Sequence, residues 1–542
     1  MPGTLSINGK TTDSFAGLSL FDHAERLGIA VPNSCRKLGK CKECMVEVLA
    51  GAECLSAPTP EEQHLKGNFR LSCRTRVIAE AGEVRCHTMR RGQMRIETAG
   101  LTIGHADLDP AVTRDGERIL IDGVEVDRSR GPIHGIAMDL GTTTVVLRLL
   151  DLETGRTVAA TSFENPQRFA GSDIMARIAY DTEHRGKLMA RTLAGYLSHA
   201  IEEFPVDPKS IYEMVVVGNS TMRDLFFWQS VYSIGQNPYH SITEIDVAEG
   251  RRTSTALENT GRRCLLPIHP KARVYGAPII SGHVGADAAA CMLAVDIAHE
   301  DRLVAVMDIG TNTELIVGNR HRILAASCPA GPAFEGGAIA CGMPALEGAI
   351  EDVAIEGDTF RLGVIGGGVP EGICGSGLVA LMGELMRTGR MNERGRFEED
   401  GHRITLDGEH DIYVLESDIN ELAQAKGANV AGLHVVAAKY GVDFDQIDVC
   451  YLAGGFGRHL DVAAARRIGL IPNLPDEKFV QVGNAAIEGA TIALLSGARR
   501  RELEELVKRV EHCRLETHPR FFDFFVEGCQ FKPVESMDEV AG

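Results

Sequence analysis

Residues 136–155 read IAMDLGTTTVVLRLLDLETG: an apolar strand runs into Asp139, the chain turns through Asp-x-Gly-Thr, and a second apolar strand runs out. The same grammar returns at 304–319, VAVMDIGTNTELIVGN, with Asp308 at the turn. Gly141 and Gly310 accept the tight turn that such hairpins need. The first turn offers backbone N–H groups and the hydroxyls of Thr142, Thr143 and Thr144 to an anion, and the second offers Thr311, Asn312 and Thr313. Asp139 and Asp308, at the strand ends, are placed to hold a hydrated Mg²⁺, because magnesium favours carboxylates, waters and phosphate oxygens together. One such turn is a weak sign. Two, about 170 residues apart, predict a duplicated fold with a triphosphate clamped between its halves.

The pair resembles the two phosphate loops of the actin, Hsp70 and sugar-kinase (ASKHA) superfamily, over residues 134–535, divided into halves at 134–300 and 301–535. That resemblance implies bound ATP. It also implies that Gly454 and Gly455, in DVCYLAGGFGRHL, let the backbone approach the adenosine, and that VGNAAIEGATIALLS, with Ala486, Gly489 and Ala490, is a connecting helix crossing closely at the hinge. Asp173 in GSDIMARI and Asp287 in GHVGADAAA could each add a carboxylate to the cleft, with helix capping the alternative role. The catalytic candidates are Asp139, Asp308 and Asp173. VVVGNSTM, ending a strand at Gly218 and Asn219, is a further candidate lining of the cleft.

A different chemistry stands at the other end of the chain. Cys35, Cys41 and Cys44 are spaced C-x5-C-x2-C in SCRKLGKCKECMVEV, and Cys73 follows in FRLSCRTRV. Three thiolates on one loop and a fourth on a distant strand are the ligand set of a [2Fe-2S] cluster. A zinc site would more often take its thiolates as two close pairs in sequence, and Cys73 has no such neighbour. SLFDHAERLGIAV predicts a short helix, and CMVEVLAG and LSCRTRVI predict strands. That order resembles a β-grasp ferredoxin domain over residues 1–89. Cys54 and Cys86 lie outside the pattern, as do Cys513 and Cys529.

The whole composition sets limits. A chain of 542 residues with 44% hydrophobic residues can build several cores. Its 56 basic against 75 acidic residues leave a formal charge of −19, which repels phosphate backbones and argues against nucleic acid. The N-terminal residues lack the pattern of a signal peptide and no long apolar run appears, so no membrane contact and a cytoplasmic setting are expected; fourteen cysteines then suggest ligands or buried thiols rather than disulfides. Residues 90–133 read as a linker with short strands, and the basic run Arg85, Arg90, Arg91 and Arg95 as a solvated face or a dock for an acidic electron donor. RRELEELVKRVEHCRL has an apolar stripe at Leu503, Leu506, Val507 and Val510 that predicts core packing.

A low-potential cluster and an ATP clamp belong in one chain when an electron must be driven uphill. The combination resembles the reductive activators of corrinoid-dependent enzymes. That resemblance implies ATP-dependent reduction of an inactive Co(II) corrinoid, on a cobalamin-dependent methyltransferase or its carrier protein, to Co(I), with the electron supplied by a reductase or ferredoxin and homodimerisation through the ATPase region. It also draws attention to ASCPAGPAFEGG, where Ser327 and Cys328 are candidate contacts to the corrinoid. Rival readings are an activator of a radical dehydratase, a small-molecule kinase with an appended redox sensor, and a redox-responsive binding protein.

Overall fold

The computed structural model describes residues 3–79, 82–89, 108–184, 186–398, 401–455 and 459–535. The front of the chain is a five-stranded sheet in the order Lys10–Asp13, Thr4–Ile7, Glu83–Thr88, Met45–Ala50, Phe69–Leu71. Thr4–Ile7 and Glu83–Thr88 pair parallel, which requires a crossover, and the helix Leu20–Arg26 makes it. The helix starts where Ser19 and Asp22 cap each other reciprocally. Leu5, Ile7, Leu20, Val46 and Val84 fill the space between sheet and helix. This is the β-grasp arrangement.

Behind it stand two sheets of six strands with the same internal plan. In the first, His134–Leu140, Thr144–Asp151 and Thr157–Glu164 run antiparallel, and Ile211–Gly218 returns parallel to the first of them. In the second, Val304–Asp308, Thr313–Gly318 and Ile323–Cys328 do the same, and Val449–Ala453 returns parallel to Val304–Asp308. The duplication expected from the two hairpins is therefore a duplication of topology. Central strands such as Ile211–Gly218 are buried throughout, as strands covered on both faces must be.

Two helices join the halves. Ala286–Ala294 follows the first sheet, Ala485–Leu495 follows the strand Phe479–Gly483 of the second sheet and packs back against His134–Leu140 and Ile211–Gly218 of the first, and a Cβ on Gly489 would stand 2.0 Å from the Ala290 carbonyl oxygen. Glycine is needed there for backbone to lie on backbone.

Between ferredoxin and ATPase, residues 112–128 form a three-stranded meander, Val112–Asp115, Arg118–Ile121 and Val124–Arg128. Val112 and Ile119 are buried in one core with Ala137 and Leu150 of the first half. Residues 90–107, with Arg90, Arg91 and Arg95, lie outside the described residues. The apolar stripe near the C-terminus divides: Leu503 and Leu506 are buried on the helix Gly497–Leu506, while Val510 belongs to the strand Val510–His512, paired parallel to Ile323–Cys328.

The ferredoxin domain is packed onto the first ATPase half. Cys44, Met45, Phe69, Leu71 and Cys73 share a core with Leu193, Tyr196 and Leu197 of the helix Leu188–Glu202. The Tyr196 hydroxyl donates to the Glu43 carbonyl at 2.6 Å, His199 Nε2 lies 3.1 Å from the Glu43 carboxylate, and Tyr180 donates to the His64 carbonyl.

Candidate functional site

The two hairpins face each other across a cleft that opens to solvent. Asp139, Gly141, Thr142, Thr143 and Thr144 of the first hairpin line it, with Asp308, Gly310, Thr311 and Asn312 of the second and Gly454 and Gly455. Thr313 is not among the lining residues: its side chain is fully buried, with an oxygen that has no hydrogen-bond partner among the described residues. The tight turn at Gly141 brings its N–H to the Thr144 carbonyl at 2.9 Å, and a Cβ there would lie 2.7 Å from that oxygen. Gly454 has φ +108°, and a Cβ would sit 2.4 Å from the Ile309 carbonyl; a side chain at 454 would push the second hairpin out of place.

Side chains from elsewhere hold the turns. Asn219 donates to the Thr142 hydroxyl at 2.9 Å while capping the helix Ser220–Phe226. Arg177, fully buried, donates to the Thr142 carbonyl at 2.7 Å, and burial pulls its guanidinium down to about 9. Glu335 accepts from Thr143 at 2.6 Å and also from Thr311, so one carboxylate ties the two hairpins together.

The cavity is strongly acidic. Desolvation pushes Asp139 and Asp287 each up to about 7, helped by their neighbours' charges; Asn484, at 2.8 Å from Asp139, opposes the rise. Asp308 is raised by burial and by Glu335. Glu314 is raised by burial and Asp287, and although Ser327 donates to one oxygen at 2.8 Å, the other is buried with no hydrogen-bond partner among the described residues. Such a set gains by hosting a divalent cation. Among the described residues no three of these groups converge as the direct ligands of one ion.

The cysteine loop is built differently. Cys35 and Cys41 make one thiol pair and Cys44 and Cys73 another. Backbone N–H groups of Leu38, Lys40 and Cys41 point to the Cys35 sulfur, and that of Gly39 to Cys73. The hydrogen bond from Cys44, with the Gly39 N–H and the Arg74 charge, pulls Cys73 down to about 7. A single zinc ion would draw four thiolates to one point; two pairs fit two irons, and N–H groups aimed at sulfur are the means by which proteins stabilise such clusters. The left-handed φ values of Arg36, Lys37, Gly39 and Lys42 let the loop wrap.

Comparison with known proteins joins the two sites. Residues 5–77 match the 2Fe-2S iron-sulfur cluster binding domain, 134–300 the RACo middle region, and 302–541 the C-terminal ASKHA domain of RACo. The corrinoid activation enzyme RamQ of Eubacterium limosum is 31% identical over 446 residues, covering 77% of this chain and 73% of that protein. The chain belongs to the RACo family. A second relative, the [Co(II) methylated amine-specific corrinoid protein] reductase of Methanosarcina barkeri, is 26% identical and covers 75% of this chain and 79% of its own length. A solved structure, the reductive activator for corrinoid,iron-sulfur protein, superposes with a TM-score of 0.73 over 98% of both chains at 26% identity. The ferredoxin-plus-ASKHA architecture expected from the sequence is that of the RACo family.

Within this RACo-family chain, two expectations about residues change. Asp173 does not line the cavity; its carboxylate accepts from the Ala176 N–H at 2.9 Å and caps the helix Ile174–Glu183. Asp287, of identical local appearance, does line it. Cys328 is fully buried, with the helix Glu416–Tyr440 passing so near that a Cβ on Gly432 would meet its sulfur, and Ser327 is engaged by Glu314. A corrinoid contact at Cys328 would require opening the core. Sequence reading missed Glu335, Glu314 and Asn484 as site residues; Glu335 and Ser327 both lie in the Pro/Gly-rich stretch ASCPAGPAFEGG, which signalled a shaped loop. Phe456, Gly457 and Arg458 lie outside the described residues, and among the described residues no helix is long and apolar enough to cross a membrane.

Proposed function

We propose that this chain is an ATP-dependent reductive activator that returns the inactive Co(II) corrinoid of a methyltransferase or its carrier protein to Co(I). The observation that carries the reading is the packing of a two-pair thiolate loop onto the same half that supplies one wall of an acidic, threonine-lined cleft. When bound, a [2Fe-2S] cluster on Cys35, Cys41, Cys44 and Cys73 supplies a one-electron carrier at roughly −400 mV, and MgATP supplies the driving force.

The rest is work for the protein's own groups. Thr142, Thr143 and Thr144 on one hairpin and Thr311 and Asn312 on the other donate hydroxyl, amide and backbone hydrogens to the phosphates from opposite halves, so nucleotide binding favours the closed arrangement. Asp139, Asp287 and Asp308 would hold the hydrated Mg²⁺. Closure is passed on at the Gly489–Ala290 contact, where the helices of the two halves touch backbone to backbone. Nucleotide can shift the cobalt equilibrium only if the closed form grips the oxidised client differently. The client presents the corrinoid and the electron comes from a protein donor.

The test is anaerobic visible spectroscopy of cluster-loaded protein with a Co(II) corrinoid protein and a low-potential reductant, with and without MgATP. Co(I) absorption that requires ATP and is lost in Cys41→Ser supports the reading. ATP consumption with cobalt left as Co(II) for every client offered would overturn it.

A further inference from the structure

The two thiol pairs are not equally exposed. Cys44 and Cys73 are buried in the core shared with the first ATPase half, whereas Cys35 and Cys41 remain partly open. An electron from another protein therefore has its shortest path at the Cys35 and Cys41 edge.

The loop around that edge alternates. Ser34, Arg36, Leu38 and Lys40 are exposed, with Leu38 54% open. The loop's other cations are engaged: Lys37 pairs with Asp22 at 2.9 Å and Glu25 at 2.7 Å, Lys42 donates to the Glu61 carbonyl at 2.5 Å, and Arg74 pairs with the Glu61 carboxylate at 2.9 Å. Arg36 and Lys40 have no ion pair among the described residues. Glu43, the sole acidic residue between Ser34 and Cys44 in the sequence, is buried and faces His199. An open apolar side chain flanked by two cations that have no ion pair among the described residues thus stands at the accessible cluster edge of a chain whose net charge is −19.

We propose that Arg36, Leu38 and Lys40 form the docking tip for an electron-donating protein whose own redox centre is ringed by acidic residues. The inference rests on the activator reading above and names the partner's chemistry. One electron leaves the donor, which is oxidised by one equivalent, and the diferric cluster becomes mixed-valence; no bond forms or breaks. Charge complementarity of this kind acts mainly on the encounter rate and is screened by salt.

The experiment is stopped-flow reduction of the cluster-loaded full chain by an acidic flavodoxin hydroquinone at low and high salt, with dithionite as a small-molecule control. Arg36→Glu with Lys40→Glu should slow reduction by flavodoxin at least tenfold at low salt, flatten its salt dependence, and leave reduction by dithionite unchanged. If the charge reversal impairs cluster loading, Arg36→Gln with Lys40→Gln gives the same readout with a smaller effect. An unchanged, salt-insensitive flavodoxin rate overturns the proposal. So does a variant that accepts electrons normally from flavodoxin but fails in dithionite-driven, ATP-dependent cobalt reduction, because the tip would then be the client's dock. Failure of the activator reading shows separately, as no Co(I) from wild type with dithionite and MgATP.

Discussion

Glu335 accepts a 2.6 Å hydrogen bond from the hydroxyl of Thr143 while also accepting from Thr311 on the opposite hairpin. The carboxylate thus engages the two hydroxyls best placed to meet an incoming phosphate, and it adds negative charge to a cleft already crowded with it. Glu335→Gln should bind MgATP about fivefold more tightly, the size of one unit of like-charge repulsion screened by water, and equilibrium titration with a fluorescent ATP analogue checks it. Weaker binding would mean that the carboxylate helps to hold the metal.

The pH dependence follows from the raised carboxyls. Asp139 and Asp287 stand near 7 in the folded protein against 3.8 when exposed. Between those values the folded state keeps protons that the unfolded chain has released, so stability falls as pH rises through that window. The nucleotide-free protein should show a Tm that declines from pH 5 to pH 7.5 more steeply than that of Asp287→Asn. Mg²⁺ should reverse the decline and release protons as it binds, which calorimetry in two buffers of different ionisation heat would show. Parallel pH curves for the two proteins would refute the assignment.

At the hinge, Gly489→Ala places a methyl group 2.0 Å from the Ala290 carbonyl oxygen. No flexible side chain can yield there, so the two helices must part. The expected cost is about 3 kcal/mol, seen as a lower denaturation midpoint, and ATP hydrolysis should lose its dependence on closure. An unchanged midpoint would show that the helices slide freely.

What the sequence made legible was local. Each hairpin writes its strands, its turn and its glycine in one continuous stretch, and three of four thiolates fall within ten residues. Gly489 was readable because small residues on an apolar helix imply a close crossing. Asp173 and Asp287 were indistinguishable, since an aspartate at a helix start looks the same whether it caps or faces a cleft; only the packing of Asp287 beside Asp139 separates them. Glu335 enters the site through tertiary contacts with residues of both hairpins, which no spacing encodes, whereas Glu314 stands in the second hairpin itself, next to Thr313. Cys328 drew attention by its position beside the second phosphate loop, with a purely structural loop the alternative role, and position along the chain does not reveal that the helix Glu416–Tyr440 covers the second sheet there.

The cysteines outside the C-x5-C-x2-C pattern should separate cleanly from those within it. Cys86 is fully buried in the ferredoxin core, donates weakly to the Ser6 carbonyl, and is pushed up to about 12 by burial, so it is a poor thiolate. Cys86→Ala should therefore retain full cluster absorption and the reduced-state EPR signal, at a stability cost of about 1 kcal/mol for the small cavity. Cys73→Ser acts on the buried pair, where a weaker ligand would alter one iron and not the other; the cluster should be lost or shift its EPR g-values, while ATP binding in the cleft persists. Equal loss of cluster in Cys86→Ala and Cys73→Ser would mean that the domain, rather than its ligand set, had failed.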